Sequence, residues 1–200
     1  MFDKRENLIT VNTSIYALMM LKASISREIP KDASDPMDSL FNLMADITLA
    51  DLCKEACGKT FTMPCEASVD PRATNLRNFE VPEGFAMWLT VGADKVARAI
   101  EENPAYSPGA TEIICRQIAQ IAFPLMDAVP SSREQHEEIL GGPEMVQIVR
   151  QEAQAFITSK EFIGIGKEVM GNKAPPITPP APSDIPDELP SDEELFGNNE

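Results

Sequence analysis

This chain of 200 residues has a single histidine, His136, which excludes catalytic and metal sites that need two histidines. A zinc-protease helix requires a second histidine four residues further on, where Leu140 is found. A di-iron bundle requires two Glu-x-x-His motifs, and Arg133 occupies the glutamate position before His136. The surrounding run REQHEE is typical of a solvated helix face. We therefore expect no catalytic role for His136 and no cofactor.

Clusters of basic residues and long apolar runs are also lacking. The chain has 17 Lys and Arg against 32 Asp and Glu, for a formal net charge of −15. Nucleic acids and anionic membranes are bound through clustered basic side chains, so we expect direct binding to neither. No stretch approaches the roughly 20 apolar residues of a membrane helix, and the opening MFDKREN lacks the positive charge of a secretory signal. A cytoplasmic location is predicted.

Cysteine is present only four times, at Cys53, Cys57, Cys65 and Cys115. Four thiolates could hold a zinc ion tetrahedrally. The first three follow the spacing C-x3-C-x7-C, which lacks the paired C-x2-C knuckles typical of structural zinc sites. Reduced cysteines are often buried in protein cores. We predict core thiols, and a zinc site remains the alternative.

Helical periodicity, interrupted by proline and glycine, dominates the first 171 residues. The first helix is predicted over about Thr13 to Glu28, with an apolar stripe formed by Ile15, Leu18, Met19, Leu21 and Ile25. A second helix opens at Pro36, and its buried stripe is predicted to be Leu40, Leu43, Met44 and Ile47. Thr48 is a candidate cap for a separate third helix that stops at Gly58.

Further helices are predicted over residues 84–103, 107–129, 131–140, 143–157 and 159–170, with a capping box from Ser131 to Glu134. Between Lys59 and Glu83 the periodicity is lost, which indicates a functional loop or an unrecognised element. Within it, Phe61–Met63 and Phe79–Val81 could pair as short strands. The prediction is an all-α fold: an irregular bundle of about six to eight helices over residues 1–171, followed by a disordered tail over 172–200.

One helix face carries carboxylates at regular spacing. Asp38, Asn42 and Asp46 recur every four residues and project from one side of the second helix. Carboxylates from facing helices can hold Mg²⁺, which prefers oxygen ligands. The candidate second set is Glu134, Glu137 and Glu138, although no matching motif surrounds it. The alternative is that Asp38, Asn42 and Asp46 form a solvated face opposite the apolar stripe of the second helix.

The C-terminal segment combines proline with negative charge. Residues 173–200 hold seven of the 17 prolines, seven acidic residues and one lysine. The proline-rich start predicts an extended spacer with a reach of about 30 Å. Apolar residues stand among the acids after it, and Ser191 with Glu194 has capping-box spacing. We predict that this tip orders on a protein partner that has an apolar pocket with a basic rim, and the alternative is a solubilising appendage. The predicted contact residues are Ile185, Leu189, Asp192, Glu193, Glu194, Leu195 and Phe196.

Three functions remain open at this point. The first is a non-enzymatic acidic interaction protein, such as an adaptor, an assembly chaperone or a regulator. The second is an Mg²⁺-dependent helical enzyme that acts on a small phosphorylated substrate through Asp38 and Asp46. The third is a DNA mimic that inhibits a DNA-binding protein through its acidic surface. Oppositely charged pairs four residues apart, such as Glu112 with Arg116, weigh against the third function because they neutralise its carboxylates.

Overall fold

The fold is built almost entirely from helices. The computed structural model describes residues 7–28 and 36–171. In chain order the elements are β1 (Leu8–Thr13), α1 (Ile15–Glu28), α2 (Pro36–Cys57), α3 (Pro64–Ala67), α4 (Pro71–Thr74), β2 (Arg77–Pro82), α5 (Glu83–Glu102), α6 (Pro108–Ala128), α7 (Pro130–Leu140), α8 (Pro143–Ile157) and α9 (Lys160–Gly171). The described ranges thus contain nine helices, of which α3 and α4 are single turns. The all-α prediction is confirmed.

Helix α1 lies at the centre of the bundle. Every residue from Ile15 to Leu21 is at most 9 % exposed, as expected for a helix that is apolar on all sides. It contacts α2, α3, α4, α5 and α6. Its start is capped by Ser14, whose Oγ accepts a hydrogen bond of 3.1 Å from the Ala17 N–H. The predicted apolar stripe of this helix is confirmed, although the helix begins two residues later than predicted because Thr13 belongs to β1.

A two-stranded antiparallel sheet covers one part of the core. Ile9 lies opposite Val81 and Val11 lies opposite Phe79, and all four side chains are buried. The outer face is polar: the Thr10 hydroxyl donates to the Glu80 carboxylate at 2.6 Å. Phe79–Val81 is therefore in a strand, but the predicted pairing with Phe61–Met63 is wrong. The partner is β1, whose alternating residues Ile9 and Val11 lie opposite Val81 and Phe79.

Two helix boundaries differ from the predictions. Helix α2 is continuous through Thr48, whose hydroxyl donates to the Met44 carbonyl at 3.0 Å instead of capping a new helix. It ends as predicted at Gly58, which has a φ of +70° and donates its N–H to the Lys54 carbonyl. Helix α7 begins at Pro130, so the predicted Ser131 cap is wrong, and proline at the first helical position replaces it.

The segment between Lys59 and Glu83 is ordered by short elements. Helices α3 and α4 and strand β2 fill most of it, so it is an unrecognised set of elements and not a long loop. Asp70 caps α4 by accepting a hydrogen bond of 3.0 Å from the Arg72 N–H. This segment places Phe61 against the core beside α1 and α2.

The C-terminal helices close the other side of the bundle. Helix α6 packs on α5 and α8, and the Asp127 carboxylate on α6 accepts two hydrogen bonds, of 2.8 and 3.0 Å, from Arg150 on α8. Helix α9 is fastened to α1 by Tyr16, whose hydroxyl donates to the Phe162 carbonyl at 3.0 Å. The rings of Tyr16 and Phe162 also contact, with centroids 5.0 Å apart. These contacts fix α9 beside α1.

Candidate functional site

Helix α2 turns the apolar stripe predicted for its buried side towards solvent. Leu40, Leu43 and Ile47 are 45, 56 and 55 % exposed, whereas the buried positions are Ala45, Leu49, Leu52, Cys53, Ala56 and Cys57. At about 100° per residue, the two sets point in opposite directions. The stripe prediction is wrong because α2 is apolar on both sides, and the small Ala45 and Ala56 allow the other side to approach the core. We call Leu40, Leu43 and Ile47 the outer face of α2.

Beside this helix lies a cleft between α1, α2 and the segment Phe61–Pro64. Its volume is about 450 Å³, within the range of natural ligand and peptide pockets. The walls are mainly apolar and include Met19, Leu49, Cys53, Phe61 and Met63. The charged residues that line the cleft are Lys22, Arg27 and Asp46.

A second cavity lies on the neighbouring face of α1. It has a volume of about 230 Å³ and is walled by α1, α5, α6 and α9, with Met20, Ile118 and Ile165 among its apolar residues. Ala23 and Arg27 line both spaces. We call the two cavities together the α1 groove.

Lys22 and Asp46 form an ion pair that joins α1 to α2 at the wall of the cleft. The Lys22 side chain is 19 % exposed and that of Asp46 is 56 % exposed, so the lysine is the more enclosed partner. Arg27 is exposed at the edge of the groove.

A cluster around Asp70 supports the far wall of the cleft. Its carboxylate accepts hydrogen bonds from the Arg72 guanidinium at 2.9 and 3.1 Å and lies 3.3 Å from the Lys59 ammonium. The Arg72 hydrogen bonds, with the help of Lys59, hold the pKa of Asp70 well below its usual range. Lys59 also stands 4.9 Å from the centroid of the Phe61 ring. The charge cluster thus positions an aromatic side chain of the groove.

The carboxylates predicted for Mg²⁺ binding are not assembled into a site by the described residues. Asp46 is engaged by Lys22, and the Asp38 side chain lies outside the described part. Glu137 and Glu138 stand on α7, while the side chain of Glu134 is also undescribed. Within residues 7–28 and 36–171, no group of three His, Cys, Asp or Glu side chains is arranged to hold a metal ion.

The cysteines are divided between separate parts of the core. Cys53 and Cys57 are buried on α2, which confirms the predicted packing, and both pKa values are raised chiefly by burial. Cys115 lies on α6, where its thiol contacts the Ala97 carbonyl at 3.7 Å and burial likewise raises its pKa. Cys65 is half-buried on α3. Burial therefore favours the protonated form of three thiols, which suits packing more than metal binding or nucleophilic chemistry.

His136 is not on a solvated face as predicted. It is half-buried, with its ring centroid 6.5 Å from that of Phe123 on α6. The reason is that α7 packs on α6 and α8, so one side of the REQHEE run faces protein. The contact with Phe123 is a packing contact and does not indicate a catalytic role for His136.

The predicted contact residues between Ile185 and Phe196 lie outside the described residues. Comparison with known protein families, with curated protein sequences and with solved structures finds no significant match to this chain. Across the described ranges, no helix has the length and apolar content needed to cross a membrane.

Proposed function

We propose that this chain is a non-enzymatic cytoplasmic interaction protein, of the adaptor, assembly-chaperone or regulator class. It binds a protein partner through its helical body and through the acidic tip between Ile185 and Phe196. The observation that carries the proposal is the exposure of Leu40, Leu43 and Ile47 on the side of α2 opposite its buried residues. A helix that is apolar on both sides is usually covered on both.

The size of the outer face suits a contact with one helix or strand of a partner. Its three aliphatic side chains are each about half exposed, and covering the exposed half would contribute about 1 kcal/mol each. Contiguous exposed apolar residues on a soluble protein are typical of an interaction site. Three such side chains give modest affinity alone, which is why a second contact through the tip belongs to the proposal.

The net charge of −15 selects the partner's chemistry. A chain with this charge is attracted to proteins that carry a basic surface, and it repels the phosphates of nucleic acid. Five of the twelve residues from Ile185 to Phe196 are acidic and none is basic. The partner pocket for this tip should therefore be apolar at its floor and basic at its rim.

The test is affinity capture from the native lysate, with partner recovery quantified by mass spectrometry. Four full-length baits are compared: wild type, Leu43→Ser/Ile47→Ser, Leu195→Ser/Phe196→Ser, and the control Val91→Ser/Ile113→Ser. The control removes two apolar residues of similar exposure, 53 and 59 %, from α5 and α6. A partner that is retained by wild type and control and reduced at least about tenfold by either test variant supports the proposal, since about 1.4 kcal/mol corresponds to a tenfold change.

Equal recovery of every protein by all four baits would contradict the proposal. So would an increase in thermal stability with Mg²⁺ that is abolished by Asp46→Asn, because it would show that Mg²⁺ binds at Asp46, as the alternative of a metal-dependent enzyme requires.

A further inference from the structure

The outer edge of β2 carries backbone groups that are not paired. In the ladder with β1, the Glu83 N–H donates to the Asn7 carbonyl at 3.0 Å, which makes these two residues a hydrogen-bonded pair. Because such pairs alternate along an antiparallel ladder, the odd-numbered residues of β2 face β1 and the even-numbered ones face away. The N–H and C=O groups of Asn78 and Glu80 therefore point outward, and within the described part of the chain nothing bonds them.

This edge is open to solvent and already ordered by the fold. Asn78 and Glu80 are both exposed. Strand β2 contacts β1 and α5, whereas β1 also contacts α6, and its Asn12 side chain accepts a hydrogen bond of 3.0 Å from Gln154 on α8. Arg77, at the start of β2, donates to a carbonyl at the end of α2 at 3.1 Å. An ordered strand with an exposed edge is a template for a further strand, because little entropy is lost when the second strand pairs with it.

The edge of β2 is self-complementary in one antiparallel register. When Asn78 lies opposite Glu80 of a second copy, two-fold symmetry repeats the pair, and each pair exchanges two backbone hydrogen bonds. If Glu80 lay opposite Glu80, two carboxylates would meet and Asn78 would face Pro82, which has no N–H. If Asn78 lay opposite Asn78, Glu80 would face Leu76, which precedes the strand. The first register alone pairs both residues within β2.

The side chains match in the same register. The Asn78 Oδ1 accepts a hydrogen bond from Asn12 at 2.7 Å, and the Glu80 Oε1 accepts one from Thr10 at 2.6 Å. Among the described residues, the Asn78 Nδ2 and the Glu80 Oε2 have no partner of their own. An amide donor opposite a carboxylate oxygen forms a charge-assisted hydrogen bond across the strands, and symmetry forms it twice. The chain itself therefore supplies both halves of the contact.

We propose that β2 pairs in antiparallel fashion with β2 of a second copy of the chain, with Asn78 opposite Glu80 of that copy. The pairing joins two two-stranded sheets into one of four strands. Six-residue strands bury less area than a tight dimer requires, so the dissociation constant should be in the micromolar range. Two copies of charge −15 repel each other, and the dimer should therefore strengthen as salt screens that repulsion. The contact uses neither the outer face of α2 nor the acidic tip, so it exists or fails independently of the proposed function.

Amide hydrogen exchange of the purified full-length chain tests the pairing residue by residue. Exchange is followed by NMR at a low micromolar and at a millimolar protein concentration, in buffer of physiological ionic strength. We expect the Asn78 and Glu80 amides to exchange about fivefold more slowly, or slower still, at the higher concentration, because pairing places them in hydrogen bonds. The Phe79 and Val81 amides are internal controls, since they face β1 in the single copy and should be protected at both concentrations.

Charge variants measured by sedimentation equilibrium test the register. Asn78→Glu places a carboxylate opposite Glu80 twice in the dimer, which should raise the dissociation constant at least about tenfold. The double variant Asn78→Glu/Glu80→Asn restores an amide opposite each carboxylate and should recover the wild-type constant. Both variants keep an oxygen that accepts from Asn12 and Thr10, so the contacts within one copy are preserved. The control Gln151→Glu adds the same charge on the exposed side of α8 and should change the constant little.

Recovery of association by the double variant supports the proposal, because a strand of any other protein would not change together with the variant. Asn78 and Glu80 amides that exchange fast at both concentrations would overturn it. Equal protection at both concentrations would overturn it as well, since the edge would then be covered by the chain itself. A dimer that Asn78→Glu leaves intact would assign association to another face, and a double variant as weak as the single one would contradict the register.

Discussion

Gly92 on α5 lies directly against Ile25 on α1, so closely that a Cβ built on the glycine would stand 2.5 Å from the Ile25 Cδ1. Ile25 is only 5 % exposed and is enclosed in the core. The absence of a side chain at Gly92 therefore sets how closely α5 approaches the central helix. This contact fixes α5 against α1, and both helices line the second cavity of the α1 groove.

We predict that Gly92→Ala lowers the free energy of unfolding relative to Gly164→Ala. Both glycines are inside helices, where alanine is favoured by about 1 kcal/mol. A Cβ at Gly164 meets no atom within 4 Å, so that variant should be more stable than wild type. At Gly92 the added methyl displaces a buried isoleucine, which costs about 1–3 kcal/mol. Urea unfolding followed by circular dichroism measures both, and equal stabilisation of the two variants would refute the close packing.

We predict that Arg150→Ala destabilises the fold by about 1–3 kcal/mol. The Asp127 side chain is 13 % exposed and would lose both guanidinium hydrogen bonds. Arg150→Lys should recover only part of the loss, because an ammonium cannot bind both carboxylate oxygens in the same way. The matched control is Arg98→Ala, at an exposed pair with Asp94, which should cost less than about 0.5 kcal/mol. Thermal unfolding ranks the three variants, and a loss at Arg98 as large as at Arg150 would contradict the assignment.

We predict that Asp70 makes stability depend on pH in the acid range. The pKa of its carboxyl is lowered in the folded state, so its contribution is fully present above the unfolded value of about 4 and is lost as the pH falls through the folded value. Asp70→Asn keeps a side-chain oxygen that can cap α4 but removes the charge. The variant should therefore be less stable than wild type at neutral pH, and the difference should shrink below about pH 4.

Urea midpoints measured from neutral pH down to strongly acidic conditions give the Asp70→Asn difference curve. Asp94→Asn, on the exposed face of α5, is the control and should differ little from wild type throughout. A difference between Asp70→Asn and wild type that stays constant over the whole range would show that the charge of Asp70 does not stabilise the fold.

We predict that alanine substitution of two leucines on α2 changes the free energy of unfolding by very different amounts. Leu49→Ala should cost about 2–5 kcal/mol, because Leu49 is 7 % exposed in the core. Leu43→Ala should change stability by less than about 0.5 kcal/mol, since Leu43 is 56 % exposed. Guanidinium unfolding of the two full-length variants checks this. If Leu43→Ala is as costly as Leu49→Ala, the outer face of α2 is covered by the chain itself.

Much of the helical content was predictable because helix formation depends on local residues. Pro36, Pro108 and Pro143 each begin a helix, and Gly58 ends one with a positive φ, as the fixed φ of proline and the freedom of glycine require. The burial of α1 was also predictable, since apolar side chains surround it from Ile15 to Leu21. Backbone conformation and hydrogen bonds between neighbouring turns suffice for these features.

The candidate surfaces could not be predicted from local sequence patterns, because they depend on contacts between residues that are far apart in the chain. β1 pairs with β2 although Thr10 and Glu80 are 70 residues apart, and six-residue strands have too short an alternation to stand out. The α1 groove arises only because α1, α2, α9 and Phe61 meet in space. The predicted tip contacts, Ile185 to Phe196, remain predictions, since they lie outside the described residues.

The sequence by itself determined that this is a helical, acidic protein with a proline-rich C-terminal segment, because charge and backbone preference belong to each residue. Only the tertiary structure decided which side of α2 is buried. Leu43 and Leu49 are equally apolar, and the choice between them depends on how closely Ala45 and Ala56 let α2 approach its neighbours. Packing selects the face that leaves the least empty volume, and volume is a property of the assembled core.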